Sequence, residues 1–176
     1  MQGYIKEIEN VISVEECSQI INSSENRGFS KATFNSTINT DIRKSSRVVM
    51  DDENFSRILY ERIKEHIPHT FKGFNFAYIN PFFRVLKYNI EDEFKPHTDG
   101  QFVDKNNNVS KLTLLLYLNE DYKGGYTSIL TTDNKWISIV PKQGKVLLQE
   151  QSILHAVFPL EEGIKYVIRT DIMYKV

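Results

Sequence analysis

From Gly73 onward the apolar and aromatic residues fall into short β-type runs separated by turn signals at intervals of roughly ten residues, and no other feature limits the fold as much. The runs are Ala77 to Asn89, Lys111 to Leu118, Tyr126 to Thr131, Trp136 to Val140, Lys145 to Gln149, Ile153 to Phe158 and Tyr166 to Tyr174. Gly124-Gly125 and Pro141-Lys142-Gln143-Gly144 are the strongest turns between them. Ahead of Gly73 the pattern is helical. Ser13-Val14-Glu15-Glu16 has the form of a capping box and predicts a helix through about Asn22. Ile58, Leu59, Ile63 and Ile67 recur at helical spacing within Glu53 to Ile67, and Pro68 closes that segment. Gly28 to Met50 reads as irregular strand and loop, with Ser/Thr/Asn-rich turns around Asn35 to Thr40. Helices followed by antiparallel strands predict an α+β, mainly β domain, a sandwich or small barrel with supporting helices on one side.

A length of 176 residues predicts one domain, with helical support over about 1–72 and a β core over about 73–176. The 11 Phe and 9 Tyr supply material for that core. A formal net charge of -1 lacks the basic footprint that phosphate backbones require, so nucleic acid is not an expected partner. No apolar run is long enough for a signal peptide or a membrane span, so a cytoplasmic location is expected. Cys17, the one cysteine, reads as a small buried side chain. It excludes an internal disulfide and an all-thiolate metal site, so a bound metal must use nitrogen and oxygen.

His97-Thr98-Asp99 offers two such ligands at i and i+2, which an extended segment turns to the same face. A third must come from elsewhere, and His155 is the only histidine downstream. Two imidazoles and one carboxylate leave positions open for exogenous ligands, the arrangement of non-haem iron(II) oxygenases. His66 and His69, at the end of the second helical segment, have no carboxylate at metal-site spacing and read as surface residues.

Around these residues, Tyr88 to Asp99 (YNIEDEFKPHTD), Leu112 to Gly125 (LTLLLYLNEDYKGG) and His155 to Lys165 (HAVFPLEEGIK) resemble three successive blocks of the prolyl 4-hydroxylase-like branch of the 2-oxoglutarate oxygenases. The resemblance covers roughly Ala77 to Tyr174 and implies a double-stranded β-helix, or jelly roll, with iron at the mouth between its sheets. It implies that His97, Asp99 and His155 bind Fe(II) and that Lys165, ten positions after His155, binds the distal carboxylate of 2-oxoglutarate. Tyr117, before Leu118-Asn119, would point at the same carboxylate, and Tyr88 matches a further aromatic of the pocket.

Physical reasoning supports Lys165, since a buried dicarboxylate is costly unless charge-paired. Arg169 is the alternative: Lys165, Val167, Arg169 and Asp171 alternate onto one strand face, with Arg169 about 13 Å farther along. Arg169 with Asp171 also reads as an ion pair holding the last strand. Where many relatives have Gly-Gly-Glu-Thr this chain has Gly124-Gly125-Tyr126-Thr127, which weakens any transfer of substrate identity. Lys145, Trp136 and Arg84 receive no role from spacing and read as structural.

The implied reaction consumes 2-oxoglutarate and O2, releases succinate and CO2, and hydroxylates an unactivated C–H bond, with ascorbate as the expected reductant. The implied substrate is a prolyl residue of a peptide or protein, hydroxylated as in the prolyl 4-hydroxylases; a free amino acid or other small metabolite is the alternative. Ser36 to Ser46 and Gln101 to Ser110 are the expected lids. Two rivals remain. A zinc hydrolase would lack a distinct general base near the triad, and a non-enzymatic metal-binding jelly roll would be short of the four ligands that structural zinc sites use.

Overall fold

The computed structural model of the chain describes residues 3–32 and 41–176. Residues 36–40 of the first expected lid therefore lie outside the described residues. The elements are β1 (Ile5–Ile8), α1 (Val14–Arg27), β2 (Ser30–Lys31), β3 (Ser46–Asp51), α2 (Glu53–Ile63), β4 (Thr70–Phe71), β5 (Phe74–Ile79) and β6 (Phe82–Tyr88). Then follow β7 (Phe94–His97), β8 (Val109–Tyr117), β9 (Lys123–Gly124), β10 (Thr127–Leu130), β11 (Trp136–Ser138), β12 (Val146–Glu150), β13 (His155–Val157), β14 (Leu160–Glu162) and β15 (Lys165–Lys175).

Both helices begin where the sequence caps them. The Ser13 hydroxyl accepts from the Glu16 amide at 3.1 Å while the Glu16 carboxylate accepts from the Ser13 amide at 2.7 Å. Asp52 caps α2 by accepting from the Phe55 amide at 2.8 Å. α1 runs past the expected end at Asn22 to Arg27, where Gly28 at φ 79° ends it. That last stretch is polar, so no apolar stripe marks it in the sequence.

The strands form a large sheet ordered β1-β12-β8-β15-β6-β3-β2 and a smaller one ordered β11-β10-β13-β7. Two facing antiparallel sheets with the site between them are the double-stranded β-helix that the resemblance implies. The N-terminal part does more than support this core, because β1 and β3 join the large sheet beside β12 and β6. The run Ala77 to Asn89 divides at Asn80-Pro81 into β5 and β6, which lie end to end along β15. Pro81 has no amide hydrogen for the ladder, and the Asn80 amide donates to the Asp171 carbonyl at 2.9 Å.

Period-two alternation sorts the central strands between two cores. Leu112, Leu114 and Leu116 of β8 and Ile168 and Ile172 of β15 pack with Leu59 and Ile63 of α2 on the helix side. Leu115 and Tyr117 of β8 and Val167 of β15 pack between the sheets with Ile129, Val157 and Leu160. Inside that second layer Lys165, Arg169 and Asp171 share the face of Val167, which sets polar groups into an otherwise apolar interior. Among the described residues no helix is long and apolar enough to cross a membrane.

Candidate metal centre

His97 closes β7 and His155 opens β13, and the two are direct partners across that antiparallel ladder. Their rings lie 4.3 Å apart between centroids. Asp99 follows β7, its amide donating to the Gln151 carbonyl at 3.0 Å. One ligand atom from each of His97, Asp99 and His155 lies within 4.8 Å of the others. The i, i+2 spacing on an extended segment thus brings the carboxylate beside both imidazoles.

Each histidine is oriented by the carbonyl two residues before it. Nδ1 of His97 lies 2.7 Å from the Lys95 carbonyl and Nδ1 of His155 lies 3.0 Å from the Ile153 carbonyl. A carbonyl only accepts, so both Nδ1 atoms carry the proton and both Nε2 atoms present lone pairs. This is the tautomer that metal-ligating imidazoles use. Phe94 stacks on His97 with 3.5 Å between ring centroids. The Arg43 guanidinium lies 4.6 Å from the centroid of Phe94. Burial, and next the neighbouring His155, push the His97 imidazole down to about 4. It is therefore neutral at physiological pH, as ligation requires.

Asp99 is held by groups from the opposite sheet. Burial alone would raise its carboxyl, but Arg169, His155 and the Thr113 hydroxyl outweigh burial and hold it down to about 2. Thr113 Oγ1 donates to Oδ2 at 2.5 Å, and Arg169 Nη2 stands 3.2 Å from Oδ1. Arg169 also pairs with Asp171 at 3.1 Å, and Gln151 donates to the same Asp171 carboxylate at 3.0 Å. Arg84 reaches Asp171 at 3.5 Å.

Lys165 is 0% exposed, and its amine donates to the Gly125 carbonyl at 2.7 Å. Among the described residues no carboxylate lies within ion-pair distance of it. Burial lowers its ammonium to about 7. The amine stands 5.2 Å from the Tyr88 ring centroid and 5.9 Å from that of Tyr117. The Tyr117 hydroxyl is buried with no hydrogen-bond partner among the described residues, and burial raises its pKa. An orphan hydroxyl beside an ammonium without a counter-ion is a gap shaped for an anion.

A cavity of about 480 Å³ joins these groups, lined by the triad, Lys165, Arg169 and Tyr88. It also takes in Arg43, Arg47 and Arg84, and among the described residues Asp99 is its one acidic residue. Spacing gave Arg84 no role, yet it alternates with Leu86 and Tyr88 on β6, and that parity is the signal that could have placed it. Arg43, Arg47 and Thr113 were not singled out either, because they enter from strands whose register the sequence does not display. Lys145 and Trp136 lie outside the cavity: Lys145 pairs with Glu7 at 2.8 Å, and Trp136 packs edge-on against Phe158.

The family model described as the 2OG-Fe(II) oxygenase superfamily matches residues 83–170. No curated protein matches by sequence. Among solved structures, the chain is similar to a prolyl hydroxylase from Trichoplax adhaerens in complex with a hypoxia inducible factor oxygen degradation domain peptide fragment, with a TM-score of 0.78, 18% identity, and 97% of this chain and 83% of that one covered. A Pseudomonas putida prolyl-4-hydroxylase gives a TM-score of 0.75 at 13% identity, with 97% and 92% covered. The viral collagen prolyl hydroxylase of Paramecium Bursaria Chlorella virus-1, in its 2OG complex, gives 0.67 at 20% identity, with 98% and 97% covered. At these identities the likeness shows the shared fold.

Proposed function

Because this chain belongs to the 2OG-Fe(II) oxygenase superfamily, we propose that it is an Fe(II)- and 2-oxoglutarate-dependent dioxygenase that hydroxylates a prolyl residue, at the 4-position, in a peptide or protein. In this reading His97, Asp99 and His155 hold the iron, Lys165 binds the distal carboxylate of 2-oxoglutarate, and Tyr117 and Tyr88 complete that pocket. The observation that carries it is the burial of Lys165 without a counter-ion in the cavity that also holds a three-ligand nitrogen and oxygen set.

The residues fit the absent groups. Both imidazoles turn Nε2 away from the backbone carbonyl that holds Nδ1, the carboxylate is ionised, and this donor set suits ferrous iron with open positions. When bound, iron and 2-oxoglutarate supply the oxidising chemistry, with O2 consumed and succinate and CO2 released. The chain supplies placement. The carbonyls of Lys95 and Ile153 fix the imidazoles, Thr113 and Arg169 fix Asp99, and Leu86, Leu115, Val157 and Val167 keep water from the interior. No protein acid or base is required, and among the described residues the cavity lining has no carboxylate beyond Asp99 for the zinc hydrolase reading.

An extended substrate is favoured over a free metabolite by a second hollow of about 840 Å³ that shares Phe82 and Arg84 with the first. Pro81, Phe102 and Val103 line it, and Phe82, Phe102 and Val103 expose apolar surface. The collagen and hypoxia inducible factor partners named for the similar structures point the same way. The test is incubation of lysate with the protein, iron(II), 2-oxoglutarate, ascorbate and labelled dioxygen. Stoichiometric succinate and a gain of one labelled oxygen on a prolyl peptide are expected. Succinate formation that does not depend on oxygen, or labelling of a free amino acid alone, would refute the respective part.

A further inference from the structure

The cavity carries more positive charge than the chemistry above uses. Arg43, Arg47, Arg84, Lys165 and Arg169 line it; Asp99 pairs with Arg169, and Asp171 with Arg169 and Arg84. A ferrous dication and a 2-oxoglutarate dianion cancel, so binding both leaves that excess where it was. Residues 33–40 and Met1-Gln2 contain no Asp or Glu, so no carboxylate from those segments can offset it.

Not every cation is available. Arg169 is committed to Asp99 and Asp171. Arg43 is buried, lies over Phe94 and donates from Nε to Ser45 at 2.9 Å. Lys165 opens β15, four residues before Arg169. Arg47 and Arg84 differ from these. Arg84 pairs with Val49 of β3 and with Arg169 of β15, while Arg47 pairs with Leu86, so the two arginines are diagonal neighbours on the site-facing side of β3 and β6. Arg47 has no ion pair among the described residues. Arg84 keeps one long contact, at 3.5 Å, to an Asp171 already shared by Arg169 and Gln151, which leaves most of its five donors unused. Phe82, next on the same face of β6, is 43% exposed and marks the mouth. After burial, repulsion from Arg169 and Arg47 lowers the proton affinity of Arg84. Like charges gathered at a cavity mouth destabilise the fold unless an anion joins them.

We propose that the substrate carries a carboxylate at or beside the reacting residue, and that Arg47 and Arg84 receive it as it enters over Phe82. The inference rests on the oxygenase reading and adds to it the charge of the substrate. Two sources present this chemistry, an acidic side chain flanking the reacting residue of a peptide and the free α-carboxylate of an amino acid.

The test uses the full chain and fluorescently labelled proline-centred peptides of one length, with Glu, Gln or Lys on either side of the proline, read by anisotropy with and without iron(II) and 2-oxoglutarate. Unlabelled proline and prolinamide compete in parallel arms. A charge-assisted bond to a guanidinium is worth a factor of about ten to about a hundred in affinity. A Glu peptide should therefore bind at least about tenfold tighter than its Gln twin, and the Lys peptide weaker still. Competition by proline but not prolinamide, with no preference among peptides, would assign the carboxylate to a free amino acid. Arg47→Gln should remove most of the preference, and Arg84→Lys should retain part of it, which guards against a misfolded Arg84→Gln. Equal binding of the Glu, Gln and Lys peptides with equal competition by proline and prolinamide, no binding in any arm, or an undiminished preference in folded Arg47→Gln/Arg84→Gln overturns the inference. The anaerobic visible band of the protein with iron(II) and 2-oxoglutarate is read separately. Its absence would sink the oxygenase reading, whereas its presence without a charge preference sinks this inference alone.

Discussion

The guanidinium of Arg169 stands between two carboxylates, 3.2 Å from Asp99 and 3.1 Å from Asp171. It therefore ties a candidate metal ligand to the middle of the large sheet, while Lys165 on the same strand face has no carboxylate partner among the described residues. The two cations should fail differently. Arg169→Ala leaves Asp171 buried with only the long Arg84 contact and the Gln151 bond, a loss of about 3 to 5 kcal/mol for a broken buried pair. Lys165→Ala should stay folded and raise the 2-oxoglutarate concentration for half-maximal succinate formation by about 100-fold. Urea unfolding and succinate titrations on both variants check this. A folded Arg169→Ala that shifts the 2-oxoglutarate requirement more than Lys165→Ala does would exchange the two roles.

His97→Ala, Asp99→Ala and His155→Ala should each abolish succinate formation and lower iron content while leaving the circular dichroism near that of the parent chain, because an open three-ligand site contributes less to folding than a closed structural one. Near-normal turnover with unchanged iron in Asp99→Ala would remove the triad from the chemistry.

The pH dependence follows from Lys165, whose ammonium burial lowers to about 7. An unfolded chain keeps that proton up to about 10.4. Between these values the unfolded state binds more protons than the folded one, so the stability of the ligand-free protein rises with pH across that window. Lys165→Met should flatten the rise in urea midpoints. A bound carboxylate favours the protonated amine, so 2-oxoglutarate should bind with proton uptake above pH 7 and more weakly as pH rises. Calorimetry in two buffers of different ionisation enthalpy measures that uptake, and its absence would separate Lys165 from the ligand.

Phe94 stacks on His97 and carries Arg43 on its ring. Removing this support frees the imidazole to turn about its strand. Phe94→Ala should weaken iron binding by about 10- to 100-fold, the usual effect of losing a group that orients a ligand. Iron titration of the metal-free protein reads it directly, and unchanged affinity in a folded variant would make the stack incidental.

Gly144 sits at φ +78°, and a Cβ there would lie 2.2 Å from the Ile12 carbonyl oxygen. Its own carbonyl accepts from the Val11 amide at 2.8 Å, so the two loop segments are tied together at the point of contact. Gly144→Ala should destabilise the fold by about 2 kcal/mol or more, a fall in melting temperature of roughly 4 to 8 °C. A thermal shift within error of the parent would show that the turn can relax.

Local signals in the sequence carried far where a side chain's neighbours are its own strand or turn. The capping box at Ser13 and Glu16, the turn at Gly144, and the shared face of Lys165, Arg169 and Asp171 all follow from spacing of six residues or fewer. What escaped was set between strands. Arg47 and Arg84 reach the cavity only because β3 pairs with β6 and β6 with β15 in one register, which no single segment encodes. The tail of α1 escaped for a different reason, since it is polar and is held by the ion pair of Glu25 with Lys87 at 2.7 Å and ended by Gly28, not marked by an apolar face.

His97 and His155 oppose one another directly across the β7–β13 ladder, and the pairing slips immediately afterwards, between His155 and Val157. A shift of one residue at that point would turn one imidazole to the other face of its sheet. Iron uptake therefore doubles as a gauge of strand alignment. A misaligned population would keep its far-ultraviolet spectrum and its overall compactness yet take up no metal, so metal stoichiometry would report the fraction of molecules in which β7 and β13 are in register within the smaller sheet.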